Sequence, residues 1–202
     1  MHKRSPFVAA LLASSLLLSA SAGARGAAPA YDVVIRGGTL YDGSGAAPVV
    51  GDIALKGDRI VAIGTVAGSG RTEIDAKGMA VAPGFINMLS WATESLIADP
   101  RSLSDIRQGV TLEVMGEGWS MGPFNATMKA QETERQGDIK YDISWTTLGD
   151  YFAYLEKRGI APNVASFVGA ATVRVHELGE GDVDPTPEQL ARMRALVRQA
   201  MD

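Results

Sequence analysis

Gly118-Trp119-Ser120-Met121-Gly122 has the spacing of a G-x-S-x-G turn, which lifts a nucleophilic hydroxyl off the end of a strand. Asp142, Asp150 and His176 follow it in acid-then-base order, so a hydrolase using Ser120 is one reading of the chain. The motif needs a helix directly after the turn, and Pro123 with a polar stretch stands there instead. Gly116-x-Gly118 hints at a dinucleotide loop, but the next glycine, Gly122, falls one residue late for G-x-G-x-x-G. Glu94, Asp99 and Glu117 are loop acids, and lone loop acids are most often solvated. Asp99 precedes Pro100 and reads as a helix N-cap. Glu113 lies inside a strand pattern and needs a partner if it is buried. His2 and His176 are the two histidines, and there is no cysteine. Nitrogen and sulfur metal ligands are therefore scarce. His176 beside Glu177 in an acidic stretch reads as a surface residue. Trp91 and Trp119 are candidates to line a pocket, against the commoner role of packing.

These residues need elements to hold them. Residues 31–82 read as β structure. Residues 31–36 form an apolar strand ended by Gly37-Gly38. Residues 52–56 and 59–64 make a hairpin around Gly57-Asp58, and residues 72–75 and 79–82 flank another turn. The pattern changes after Pro83. Strands are expected near 81–88, 110–115 and 164–168. A helix should start at Asp99-Pro100, and Leu148, Tyr151, Phe152 and Leu155 mark another, ended by Gly159 and Pro162. Thr186-Pro187-Glu188-Gln189 is a capping box that opens a last helix with its stripe at Leu190, Met193, Val197 and Met201. Residues 116–144 read as one long loop. Strands alternating with helices imply βαβ units and a parallel sheet. Such sheets carry their chemistry in loops beyond the strand carboxyl ends, which are residues 89–98, 116–144 and 169–185.

Composition sets the class. The chain has 202 residues, 46% hydrophobic and 21% charged, which is globular rather than disordered. Its net charge is −4 with no Lys/Arg cluster past residue 5, which argues against a nucleic-acid partner. His2, Lys3 and Arg4 precede an apolar run over 7–18. Ala20-Ser21-Ala22 then fits a cleavage site, with Ala22-Gly23-Ala24 as a second candidate. Residues 1–22 read as a signal peptide, with cleavage after 24 as the alternative, and 23–30 as a linker. The run is shorter than the roughly 20 apolar residues of a span, so no stable membrane span is expected after cleavage. The expected location is exported, periplasmic or secreted. The last stripe reaches Met201 without a glycine cap, and a (β/α)₈ barrel takes roughly 250 residues. The sequence thus reads as a truncated barrel of three units whose open edge and apolar face favour aggregation.

Six segments carry a resemblance. They are residues 31–43, Gly57-Asp58-Arg59-Ile60-Val61-Ala62-Ile63-Gly64, Ile74-Asp75-Ala76-Lys77-Gly78, Ala82-Pro83-Gly84-Phe85-Ile86, and Gln108-Gly109-Val110-Thr111 with 159–169. Their order resembles the amino-terminal portion of the amidohydrolase superfamily, and the last group that of N-acyl-D-amino-acid deacylases (D-aminoacylases). The resemblance implies an α/β fold, with a small β-sandwich portion over 31–82 and the first units of a TIM barrel over 83–202. It also implies metal-dependent hydrolysis of non-peptide C–N bonds in linear amides such as N-acyl-D-amino acids. A divalent ion, zinc by expectation, would lower the pKa of bound water and polarise the carbonyl. The partner implied is a small-molecule amide.

The departures are specific. The family carries Asp-x-His-x-His after Pro-Gly-Phe-Ile, where this chain reads Asn87-Met88-Leu89-Ser90-Trp91. Leu89 and Trp91 stand at the two histidine positions and cannot ligate a metal. Gly118 stands where the deacylases place a cysteine ligand. Val168-Gly169-Ala170-Ala171 replaces a Val-Gly-His-Gly pattern. Glu117 is then the leading metal candidate, at the place of the family's bridging ligand, and Glu94 is a weaker one. An incomplete enzyme and a non-catalytic, amidohydrolase-like binding module are both consistent with this pattern.

Overall fold

The computed structural model describes residues 28–202. The signal-peptide reading therefore lies outside the described residues. The chain divides into two compact units, whose described parts are residues 28–81 and 82–202.

In the first unit, β1 (Tyr31–Leu40) pairs antiparallel with β2 (Val49–Lys56), which pairs antiparallel with β3 (Arg59–Gly64). β4 (Gly70–Asp75) and the short β5 (Ala80–Val81) run parallel to β1. The β2–β3 hairpin turns at Gly57-Asp58, where Gly57 has φ +59°. That left-handed backbone is cheap for glycine and costly for other residues. The expectation that Gly37-Gly38 ends the first strand is corrected. Pairing continues to Leu40 across an irregularity between Ile35 and Gly38, with Gly37 at φ +66°. A bulge at glycine bends a strand without ending it.

Val34, Ala54 and Val66 form this unit's small core. The Arg36 guanidinium adds cross-links. It donates to Glu73 on β4 at 2.7 Å, to Asp52 on β2 at 3.0 Å and to the Val66 carbonyl at 2.8 Å. The Glu73 and Asp52 bonds hold the Arg36 pKa above its ordinary value, with Glu73 the larger cause.

The second unit is built on β6 (Phe85–Asn87), β7 (Val110–Met115) and β8 (Asn163–Ser166), all parallel and in sequence order. Helices α1 (Ser95–Ala98) and α2 (Leu103–Ile106) lie between β6 and β7. Helices α3 (Ala126–Arg135) and α4 (Leu148–Arg158) lie between β7 and β8, and α5 (Ala170–Leu178) and α6 (Pro187–Met201) follow. The α4 stripe forms as its spacing predicts. Leu148, Tyr151 and Leu155 are buried, Thr147 and Asp150 form a capping box, and Gly159 closes the helix at φ +77°. These side chains join Leu96, Met115, Phe124 and Trp145 in one core. Thr186 and Gln189 cap α6 reciprocally, as expected.

Three local expectations are corrected. Asp99 does not open a helix. It is the C-cap of α1, its backbone N–H donating to Ser95, while its carboxylate takes Arg101 at 2.8 Å. Its neighbour helices have four residues each, too few for a periodic signal. The stretch 116–144 is not wholly loop, because Asn125 caps α3 through the Met128 N–H. His176 lies in the last turn of α5 and not in a loop. The α6 stripe also differs from a buried face: no α6 residue is fully buried, and Met201 is exposed. Among the described residues, no helix is long and apolar enough to cross a membrane.

Candidate functional site

The three loops beyond the carboxyl ends of β6, β7 and β8 meet. The Ser90 N–H donates to Val114, Phe167 N–H to Met115, and Ala171 N–H to Gly118. Gly169 N–H donates to the Ser120 hydroxyl at 3.0 Å. This is where a parallel sheet gathers chemistry-bearing residues. A cavity of about 290 Å³ opens there. From the first loop, Leu89, Trp91, Thr93 and Glu94 line it. The second loop contributes Gly116, Glu117, Trp119 and Met121, and α3 adds Glu132.

Of the sequence-derived candidates, the cavity brings together Leu89, Trp91, Glu94, Glu117 and Trp119. Trp91 is 74% exposed, so its ring presents a large apolar surface to solvent. Glu117 is exposed, and its neighbour Gly118 sits at φ +75° outside the lining. Glu94 accepts from the Tyr141 hydroxyl at 3.2 Å. Burial first, and the Glu94 charge second, push the Tyr141 pKa up. Glu132 was missed by sequence reasoning because α3 was. Asn125 before a run of good helix formers was the available signal. Burial raises the Glu132 carboxyl, Arg135 opposes this, and the Glu94 charge adds to it. The cavity therefore carries three carboxylates, and its lining has no Lys, Arg or His.

The other candidates fall elsewhere. Glu113 is fully buried on β7 and accepts from the hydroxyls of Ser90 at 2.7 Å and Ser102 at 2.8 Å. It thereby ties the first loop and α2 to the sheet. The Ser120 nucleophile reading is corrected by its surroundings. Ser120 is fully buried, its hydroxyl donates to the Gly122 carbonyl at 2.5 Å, and it accepts from Gly169. Its N–H donates to Thr172 at 2.7 Å, so the residue is a polar knot joining two loops. His176 pairs instead with Glu177 at 3.2 Å, which also takes Arg192 at 2.6 Å. Asp150 is occupied in the capping box of α4, its carboxylate accepting from the Thr147 N–H, which is the chief cause of its lowered pKa.

The described residues do not by themselves make up a metal ligand set at this site. Among the described residues, no group of three or more His, Cys, Asp and Glu side chains could hold a metal ion. Catalytic zinc takes three protein ligands.

No protein-family model matches the chain. The N-acyl-D-aspartate deacylase of Alcaligenes xylosoxydans xylosoxydans is 36% identical over 177 residues, covering 86% of this chain and 35% of that protein. The D-aminoacylase of the same organism is 32% identical over 176 residues, covering 85% and 36%. The crystal structure of N-acyl-D-glutamate deacylase from Bordetella bronchiseptica, complexed with zinc and a phosphonate inhibitor, superposes with a TM-score of 0.71 at 29% identity. That match covers 84% of this chain and 36% of the other. The chain thus spans about a third of the length of the curated relatives it matches. Its homologues thus include N-acyl-D-amino-acid deacylases, and its structural neighbours include members of the amidohydrolase superfamily that match over the described region.

Proposed function

We propose that this chain forms a small-molecule binding part of an amidohydrolase-type fold, and that its own residues bind without hydrolysing an amide. The observation that carries this is the occupancy of the loop cavity. Leu89 and Trp91 line it, and its three carboxylates do not converge as a ligand set. The parallel order of β6, β7 and β8, and the likeness to N-acyl-D-glutamate deacylase, support reading residues 83–202 as an arc of a (β/α) barrel. The mixed sheet of the first unit supports the sandwich portion over 31–82.

A second reading is a metal-dependent hydrolase of linear amides such as N-acyl-D-amino acids, holding zinc. The 36% identity to N-acyl-D-aspartate deacylase favours it. The two readings differ in one assay. The purified 202-residue chain is expected to carry no stoichiometric zinc and to release no amine from N-acyl-D-aspartate or N-acyl-D-glutamate. Zinc at one equivalent together with turnover would establish the second reading. Loss of that zinc in Glu117→Gln would then name Glu117 as a ligand.

Export is proposed on the positively charged start, the apolar run and the small residues that follow it. Intact-mass measurement of the mature protein should find residues 1–22 or 1–24 removed. A mature mass that includes Met1 would refute export by cleavage.

A further inference from the structure

Three carboxylates alone are what a solvated surface shows. In this cavity they share the walls with two indoles and two aliphatic side chains. Trp91 and Leu89 come from the first loop, Trp119 and Met121 from the second, and Glu94, Glu117 and Glu132 from three different elements. The lining has no basic side chain, and Arg135, 3.7 Å from Glu132, is also paired with Glu180. Trp119 is held in place by packing near Phe124, ring centroids 6.2 Å apart, and Met121 is buried below it. Trp91 is largely exposed and free to meet a ligand.

This arrangement discriminates among ligands. A metal ion needs donors that converge on one point, and these carboxylates do not. An N-acyl-D-aspartate would bring two further carboxylates to a wall that already has three, and like charges at short range in a partly desolvated site are unfavourable. A purely apolar molecule would cover the Glu117 carboxylate without offering it a charge or a hydrogen bond. An organic ammonium satisfies both parts of the wall. Its alkyl groups cover indole and leucine surface, while its charge is attracted by the ring quadrupole and by carboxylates spread around it. Such a cation needs no single tight donor set, which matches donors distributed over a cavity of about 290 Å³.

We propose that the loop cavity binds an alkylammonium cation against the indole surface that Trp91 and Trp119 contribute to its lining, with Glu94, Glu117 and Glu132 supplying the countercharge. The proposal rests on the binding reading above and names the class of its ligand.

The test is calorimetric titration of the 202-residue chain with tetramethylammonium, with N-acetyl-D-glutamate and zinc chloride as separate arms. Saturable, one-site binding of tetramethylammonium is expected, weakened by added salt and absent for N-acetyl-D-glutamate. A cation–π contact is worth about 0.5–1 kcal/mol at exposed sites and about 2 when desolvated, so Trp91→Ala should weaken binding roughly 2- to 30-fold. Trp91→Phe, which keeps a ring, should retain most of the affinity. Glu117→Gln should weaken binding without changing the thermal transition, because its side chain is exposed. Trp91→Ala should also melt like the parent, since that ring is exposed, which separates lost contact from lost fold. Absence of saturable tetramethylammonium binding, or binding unchanged in both Trp91→Ala and Glu117→Gln, overturns the proposal. If zinc is also unbound, the cation proposal falls while the non-hydrolytic reading stands. Zinc at one equivalent with amide turnover overturns both.

Discussion

Gly116→Ala is expected to destabilise the second unit by roughly 2–6 kcal/mol, from backbone strain and overpacking together. Gly116 follows β7 directly and has φ +84°, a conformation that costs L-residues about 1–2 kcal/mol. The larger cost is steric. A Cβ placed there would lie 2.2 Å from the Ser166 Oγ and 2.5 Å from the Phe167 carbonyl oxygen. The serine hydroxyl can rotate away, but the carbonyl is backbone at the end of β8, where Phe167 N–H is bonded to Met115. Relief requires the β7 and β8 ends to part. Gly118→Ala is the internal control. Its φ is similar at +75°, but nothing lies within 4 Å of the added carbon. It should therefore show the strain without the overlap. All three tryptophans, Trp91, Trp119 and Trp145, lie in this unit, so denaturant unfolding followed by tryptophan emission reads it selectively. Equal midpoints for the two variants would show that the β8 end yields freely and that the close approach of the two loops is soft.

The contrast between these glycines also marks what the sequence can and cannot express. Both belong to the Gly116-x-Gly118 pair, and spacing alone gave them equal weight. The difference arises from β8, about fifty positions away. The same is true of Ser120. Its motif has the right letters, but the Gly169 and Thr172 contacts that bury it come from the third loop and α5. Features set by adjacent residues were legible. The Gly57-Asp58 hairpin, the α4 stripe and the Thr147–Asp150 and Thr186–Gln189 boxes all depend on chemistry within a few positions. Helix α3 escaped because it buries a single residue, Met128, so its sequence has no apolar stripe to read. With α3 went Glu132, one of the cavity's three acids. The position of the cavity was legible, because the end of a parallel sheet that gathers ligands follows from strand direction. Its chemistry was legible only in part. Leu89 and Trp91 could be named as non-ligands from their side chains, whereas their company with Trp119 and Met121 is a product of packing.

Tyr151→Ala should cost about 3–5 kcal/mol, the range for removing a large aromatic side chain from a core. Tyr151 is fully buried on α4, its ring 5.2 Å from Trp145 and 6.1 Å from Phe152. Burial holds its phenol in the neutral form, with the pKa driven up first by desolvation. The hydroxyl donates to the Thr93 carbonyl at 2.9 Å, so the side chain has two separable roles. Tyr151→Phe keeps the ring and leaves the Thr93 carbonyl without this donor, at about 1–3 kcal/mol. The remainder of the alanine cost is packing. Thr93 also lines the cavity, two residues from Trp91, so the phenol hydroxyl anchors one cavity wall to the core. The phenylalanine variant should thus combine a modest loss of stability with weaker tetramethylammonium binding, while a core substitution remote from that loop should lower stability alone. Leu155→Ala is the comparison. It is fully buried on the same helix, four residues on, and its loss costs about 2–5 kcal/mol while leaving the Tyr151–Thr93 hydrogen-bond partners in place. Chemical denaturation of the three variants, with calorimetry below the transition, separates the two roles. If Tyr151→Phe binds like the parent and Leu155→Ala does not, the wall is positioned by core packing and not by the Thr93 hydrogen bond.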